Sequence, residues 1–275
     1  MSVLTDSLQQ IQTWLENNFP RAAENITSGL NTLEIESKIE NLPFSLPEEV
    51  YELYQYTRGH SLDTQNIDTD IFGADDGMAL NSLEYAMEIF LGFEDEISEC
   101  AVNYIGKPLF PIFGTDATFL CIVGDWENKT PSPIVYVSEI VETSHRYVSL
   151  TSMMLTAAES LQANALDFNR ESYYKWDEQK YAEIYLKHNS NILELSVNRL
   201  KQQFLMAESN SVAEEMAENS FVQDIFYLYL KKLNLGSEQL ESKIFEPLII
   251  ALEDEDEKIR DFARRGLEEL EYKFE

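Results

Sequence analysis

The chain has 275 residues, 44% of them hydrophobic and 12% aromatic, with only 10 Gly and 8 Pro. This is enough apolar material for one large domain or two modest ones, and it excludes a linker or low-complexity chain. The formal net charge is −30, with 26 Asp and Glu against 6 Lys and Arg in residues 1–165, so nucleic acid and anionic lipid are repelled and a basic protein partner is favoured.

Leu8, Ile11, Leu15 and Phe19 have helical spacing before Pro20 and predict an amphipathic helix over 7–19. In ENLPFSLPEEVYELYQYTRGH a proline and two glutamates open a second helix, Val50, Leu53 and Tyr54 form its apolar face, and Gly59 stops it. Residues 61–80 are polar and rich in Asp and read as loop around Ile71 and Phe72, before a helix over 82–99. The period then becomes extended: PLFPIFG, TFLCIVGDW, SPIVYVSEI and RYVSL are β-rich runs at hairpin spacing and predict an antiparallel sheet. TSMMLTAAESLQANAL returns to helix, with Thr151 or Ser152 available as N-cap. Beyond residue 166 only helices are expected, near 172–187, 191–207, 211–232, 238–252 and 256–272. In the last, Ile259, Phe262, Ala263, Leu267 and Leu270 form one face while Asp261 and Arg265 pair on another. The acidic run at 253–257 reads as a helix start. The fold class is thus α+β, an antiparallel sheet with flanking helices in residues 1–165, followed by an all-α domain in 166–275.

No apolar stretch approaches a bilayer span, since PLIIAL and IFYLYL are short. Asp6 and a polar run at the N-terminus predict no signal peptide, and Cys100 and Cys121 read as reduced core residues. The expected compartment is the cytoplasm, and no membrane or nucleic-acid partner is expected.

Three features in order, SLPEEVYELYQYTRGH, LFPIFGTDATFLCIVGDW, and PIVYVSEI with its following helix, resemble the SUKH superfamily over residues 5–165. That family includes fungal cell-wall assembly regulators and bacterial immunity proteins. The chain departs from the pattern at Arg58-Gly59, where the family often has Asn-Gly. Near the C-terminus, PLIIALEDEDEKIRDFARRGLEEL is similar to a HEAT-type helical repeat.

Sequence motifs for catalysis are lacking. His60, His145 and His188 are scattered, with no CxxC or HExxH, so no metal is expected. The glycines form neither GxxxxGK nor GxGxxG, no GxSxG elbow occurs, and no cofactor is expected. Fifty carboxylates leave an enzyme with a paired-acid site as a third reading. Tyr51, Tyr54, Tyr56, Tyr85 and Trp126 could instead line a groove in which aromatics anchor and acids orient a basic partner. The expected contact residues are Asp68, Asp70, Asp75, Asp76, Asp116, Asp125, Trp126 and Tyr56, with no catalytic or metal residues. For bacterial members the resemblance implies an immunity protein that neutralises a cognate toxin, plausibly a basic nuclease, by stoichiometric binding. The alternative, which the fungal relatives suggest, is a scaffold or adaptor in a regulatory complex.

Overall fold

The structure, a computed structural model, describes residues 2–24, 26–59, 78–96, 104, 106–114, 118–125, 129–137, 143–167, 175–207, 211–233 and 241–270. Leu4, Leu8, Ile11 and Leu15 are the buried stripe of α1 (Val3–Asn18), and the Ser2 hydroxyl caps it by accepting the Thr5 amide at 3.1 Å. Two short helices follow that the periodicity did not predict, α2 (Pro20–Ala23) and α3 (Thr32–Lys38). In α3 only Ile35 is buried, so there is no stripe to read. Its local signal is a capping box, Asn31 with Glu34. The next helix, α4 (Glu48–Tyr56), follows Pro47 and ends before Gly59, whose φ is +72°. A Cβ at Gly59 would lie 2.4 Å from the Asn81 carbonyl oxygen, so both conformation and close approach require glycine there.

The chain is α+β. Strands β1 (Ala79–Leu80), β2 (Leu109–Gly114), β3 (Phe119–Val123), β4 (Ile134–Val137) and β5 (Thr143–Tyr147) form an antiparallel sheet in that order, with α5 (Leu83–Glu96) between the first two in sequence. Phe110, Ile122, Ile134 and Tyr147 align across four strands and face the main core. Cys121, Val135, Leu109, Val123 and Val137 form a second cluster with Tyr104. Because both faces are covered, the strands read as continuous apolar runs rather than alternating ones. The β2–β3 register shifts between Pro111 and Phe113, a bulge beside the residue that has no amide hydrogen to give the ladder. Cys121 is fully buried, and burial pushes its thiol pKa up; Cys100 lies outside the described residues.

Helix α6 (Leu150–Gln162) is capped by Ser149 and not by Thr151 or Ser152. The Ser149 hydroxyl accepts the Ser152 amide at 3.1 Å and the Ser152 hydroxyl accepts the Ser149 amide at 3.0 Å. Ser152 is therefore the third helical residue answering the cap, while the Thr151 amide donates to Glu49 Oε1 at 2.9 Å.

Past residue 166 a ladder, β6 (Leu166–Asp167) with β7 (Lys175–Trp176), interrupts the predicted run of helices. Two residues per strand are too few to show alternation. Among the described residues five helices follow: α7 (Glu178–His188), α8 (Ile192–Ala207), α9 (Ser211–Leu233), α10 (Glu241–Ala251) and α11 (Glu257–Glu269). Helix α8 packs on α9 and α10, and α9 on α11, so the last four helices stack as two successive pairs. The Phe221 and Phe262 rings lie 6.1 Å apart, and Ile225 Cδ1 lies 3.3 Å from where a Gly266 Cβ would stand. Both contacts join positions 41 residues apart, 221 to 262 and 225 to 266, so α9 and α11 run parallel. Asp256 caps α11, accepting the Lys258 amide at 2.9 Å. Asp261 pairs with Arg264 at 2.9 Å rather than with Arg265, whose guanidinium lies 4.4 Å over the Phe262 ring. One buried apolar cluster extends from Leu4 to Leu270 and crosses residue 166 without a break.

Candidate protein-interaction surface

Tyr56 closes α4, half-buried, and its hydroxyl donates to Gln12 Oε1 of α1. Burial and the nearby Glu16 charge raise its pKa, so the phenol stays a donor. Asp125 follows β3 and exchanges backbone hydrogen bonds with Ser45 at 2.8 and 3.1 Å, while its carboxylate accepts Lys107 Nζ at 2.7 Å. Tyr56 and Asp125 share no hydrogen bond. Asp68, Asp70, Asp75, Asp76, Asp116 and Trp126 lie outside the described residues. Of the other aromatics, Tyr54 is fully buried and donates to the Asn81 carbonyl at 2.9 Å, so it builds the core and cannot line a groove. Tyr51 is half-buried beneath Lys129 Nζ, 4.4 Å from its ring centroid.

The basic side chains described in residues 1–165 each contact a group of the protein itself, with Arg58 and Lys129 still exposed. Lys38 pairs with Glu84, Lys107 with Asp125, Arg58 donates to the Ser28 carbonyl at 3.1 Å, and Lys129 covers Tyr51. Arg146 lies between two rings, 4.6 Å from Tyr136 and 4.0 Å from Tyr227. By contrast Asp6, Glu16, Glu24, Glu36, Glu40 and Glu48 are exposed on or beside α1 to α4. The field at this surface is therefore set by the carboxylates.

A buried polar cluster lies where the sheet meets the helices. At the outer edge of β5, the last strand, His145 N–H donates to Asp224 Oδ1 at 2.6 Å and Thr143 O accepts Arg199 Nη2 at 3.2 Å. Side chains from α8 and α9 thus take the hydrogen-bonding places of a sixth strand. His145 Nδ1 lies 2.8 Å from Asp224 Oδ2, and Nε2 lies 2.5 Å from the Tyr104 hydroxyl. Burial would raise the Asp224 pKa, but His145 and then Arg199 outweigh it and hold the carboxyl below its ordinary range. Burial also raises the Tyr104 pKa, so its hydroxyl keeps its proton. Arg199 Nη1 is buried without a hydrogen-bond partner. Tyr104, His145 and Asp224 are 8%, 1% and 2% exposed, so this hydrogen-bonded chain is buried and clasps β5 to α9. Sequence reasoning missed it because positions 104, 145, 199 and 224 have no common spacing.

Among the described residues no group of three or more His, Cys, Asp or Glu could hold a metal ion, and no helix is long and apolar enough to cross a membrane. Apolar surface is instead open between α9 and α11. A groove of about 670 Å³ has Phe221, Ile225 and Phe262 among its lining residues, with Val222 and Phe226 on its α9 side and Glu268 and Glu269 on its α11 side. Val222 and Phe226 are 56% and 55% exposed. A scan of protein-family models and a search of curated proteins both return no match to this chain.

Proposed function

We propose that this chain is a cytoplasmic, non-catalytic binding module that works by stoichiometric association with a basic protein. Its most concrete form is an immunity protein of SUKH type that occupies and neutralises a cognate toxin of the nuclease class. One observation carries this reading. Each described basic side chain of residues 1–165 has a partner within the chain, although Arg58 and Lys129 are exposed, while the exposed carboxylates Asp6, Glu16, Glu24, Glu36, Glu40 and Glu48 outnumber them. An acidic inhibitor facing a basic nucleic-acid-cleaving enzyme gains electrostatic steering, with association rates approaching about 10⁸ M⁻¹s⁻¹ at low salt.

Co-purification of the tagged chain from its native host, followed by identification of what binds, tests the reading. One basic protein held in equal stoichiometry, whose toxic activity the chain suppresses, is the expected result. Several regulatory proteins and no toxin would favour the scaffold alternative, and turnover of a small substrate would overturn both.

A further inference from the structure

Val222 and Phe226 of α9 are four residues apart and exposed, and half-buried Tyr229 continues their stripe at the next turn. The same helix already buries Ala217, Phe221, Ile225 and Leu228. Over residues 221–230 the helix is apolar except at Gln223 and Asp224, and a stretch apolar on that many sides belongs inside a protein or beneath a partner. The stripe borders the groove between the parallel helices α9 and α11. Its span from residue 222 to 229 is roughly 10 Å at 1.5 Å per residue, two helical turns. Gly266 in α11 adds no side chain to this groove.

The charge around the groove is asymmetric. Glu268, Glu269 and Arg265 are all exposed along it, two carboxylates against one guanidinium that also lies 4.4 Å over the Phe262 ring. A second copy of this chain would bring another charge of −30 to the same place, and repulsion argues against it. An acidic segment is disfavoured for the same reason. Successive stacked helix pairs commonly bind partners along such surfaces, and amphipathic helices dock in apolar grooves through anchors at i, i+3 or i+4, and i+7.

We propose that the α9–α11 groove receives the apolar face of an amphipathic helix from the partner protein, with Lys or Arg on the flanks of that helix meeting Glu268 and Glu269. This inference rests on the reading that the partner is basic. It adds the anchoring site to the acids that steer.

The test uses the full chain and a fluorescent synthetic helical peptide of about 16 residues, with Leu and Phe on one face and Lys on both flanks, against a version with Glu for every Lys. Fluorescence anisotropy should show micromolar binding of the Lys peptide and none of the Glu peptide. The double variant V222S/F226S, altered only at exposed positions, should bind at least about tenfold more weakly. The charge reversal E268K/E269K should weaken the Lys peptide and admit the Glu peptide. Equal affinity of V222S/F226S and the parent chain would overturn the proposal, since it would mean non-specific attraction by net charge. Concentration-dependent dimerisation abolished by V222S/F226S would also overturn it, because the occupant would then be a second copy. A co-purified basic partner that binds V222S/F226S with an unchanged dissociation rate removes this site but leaves the proposed function standing. Failure to recover any basic partner removes both.

Discussion

The Asp224 carboxylate holds His145 by both its backbone and its ring, with Oδ1 on the amide at 2.6 Å and Oδ2 against Nδ1 at 2.8 Å. Both residues are almost fully buried, and the contact joins the last strand of the sheet to α9. A buried edge strand leaves polar groups that must be satisfied. Asp224 satisfies one of them while the imidazole and Arg199 offset its own charge.

Replacing Asp224 with Asn keeps the shape and removes the charge, leaving Arg199 buried without its counter-charge. The expected loss is about 3–5 kcal/mol, the cost of breaking a buried pair from one side. Urea unfolding followed by circular dichroism measures it. A loss below about 1 kcal/mol would show that the clasp contributes little.

Acid should loosen the same contact. The Asp224 pKa is depressed in the folded chain, so its contribution is present above the ordinary aspartate value near 3.9 and lost as pH falls below that toward the folded value. Unfolding free energy followed from pH 6 down to pH 2 should therefore fall less for D224N than for the parent chain. Parallel curves would place the acid sensitivity elsewhere.

Gly59 tests the turn after α4. Alanine there meets both a φ of +72° and the Asn81 carbonyl oxygen, 2.4 Å from its Cβ. A loss of at least about 1–2 kcal/mol is expected in thermal or urea unfolding. A neutral G59A would mean that the turn can relax.

A chain cut after residue 165 keeps all five strands of the large sheet but loses Arg199, Asp224 and the helices that close β5. The fragment should expose that strand edge and aggregate, or unfold without a sharp transition, in size-exclusion chromatography and thermal melts. A monomeric fragment with a cooperative melt would show that residues 1–165 are self-sufficient.

Elements with a continuous apolar period were legible from sequence. The stripe of α1, the runs of β2, β3 and β4 and the amphipathic face of α11 announce themselves because each buries several regularly spaced side chains. Helix α3, with one buried residue, and the two-residue ladder of β6 and β7 carry no such signal. Even for a legible helix the cap went astray at α6, because Ser149, Thr151 and Ser152 are all capable and only the reciprocal Ser149–Ser152 hydrogen bonds, with Glu49 on the Thr151 amide, tell them apart. Of the site, the excess of carboxylates was legible, since charge depends on composition. That Asp125 is held by Lys107, that Tyr54 is core, and that His145 meets Asp224 are facts of tertiary contact between distant positions, which one sequence does not encode locally.

The proposed function requires that open carboxylates draw in a basic protein partner without turnover. Stopped-flow association of the full chain with its co-purified partner, across ionic strength, tests this most directly. Substituting Asp68, Asp70, Asp75 and Asp76 by Asn, in parallel with Glu36, Glu40 and Glu48 by Gln, should slow association severalfold at low salt, flatten its salt dependence and leave dissociation nearly unchanged. Association rates indifferent to both salt and substitution would contradict it.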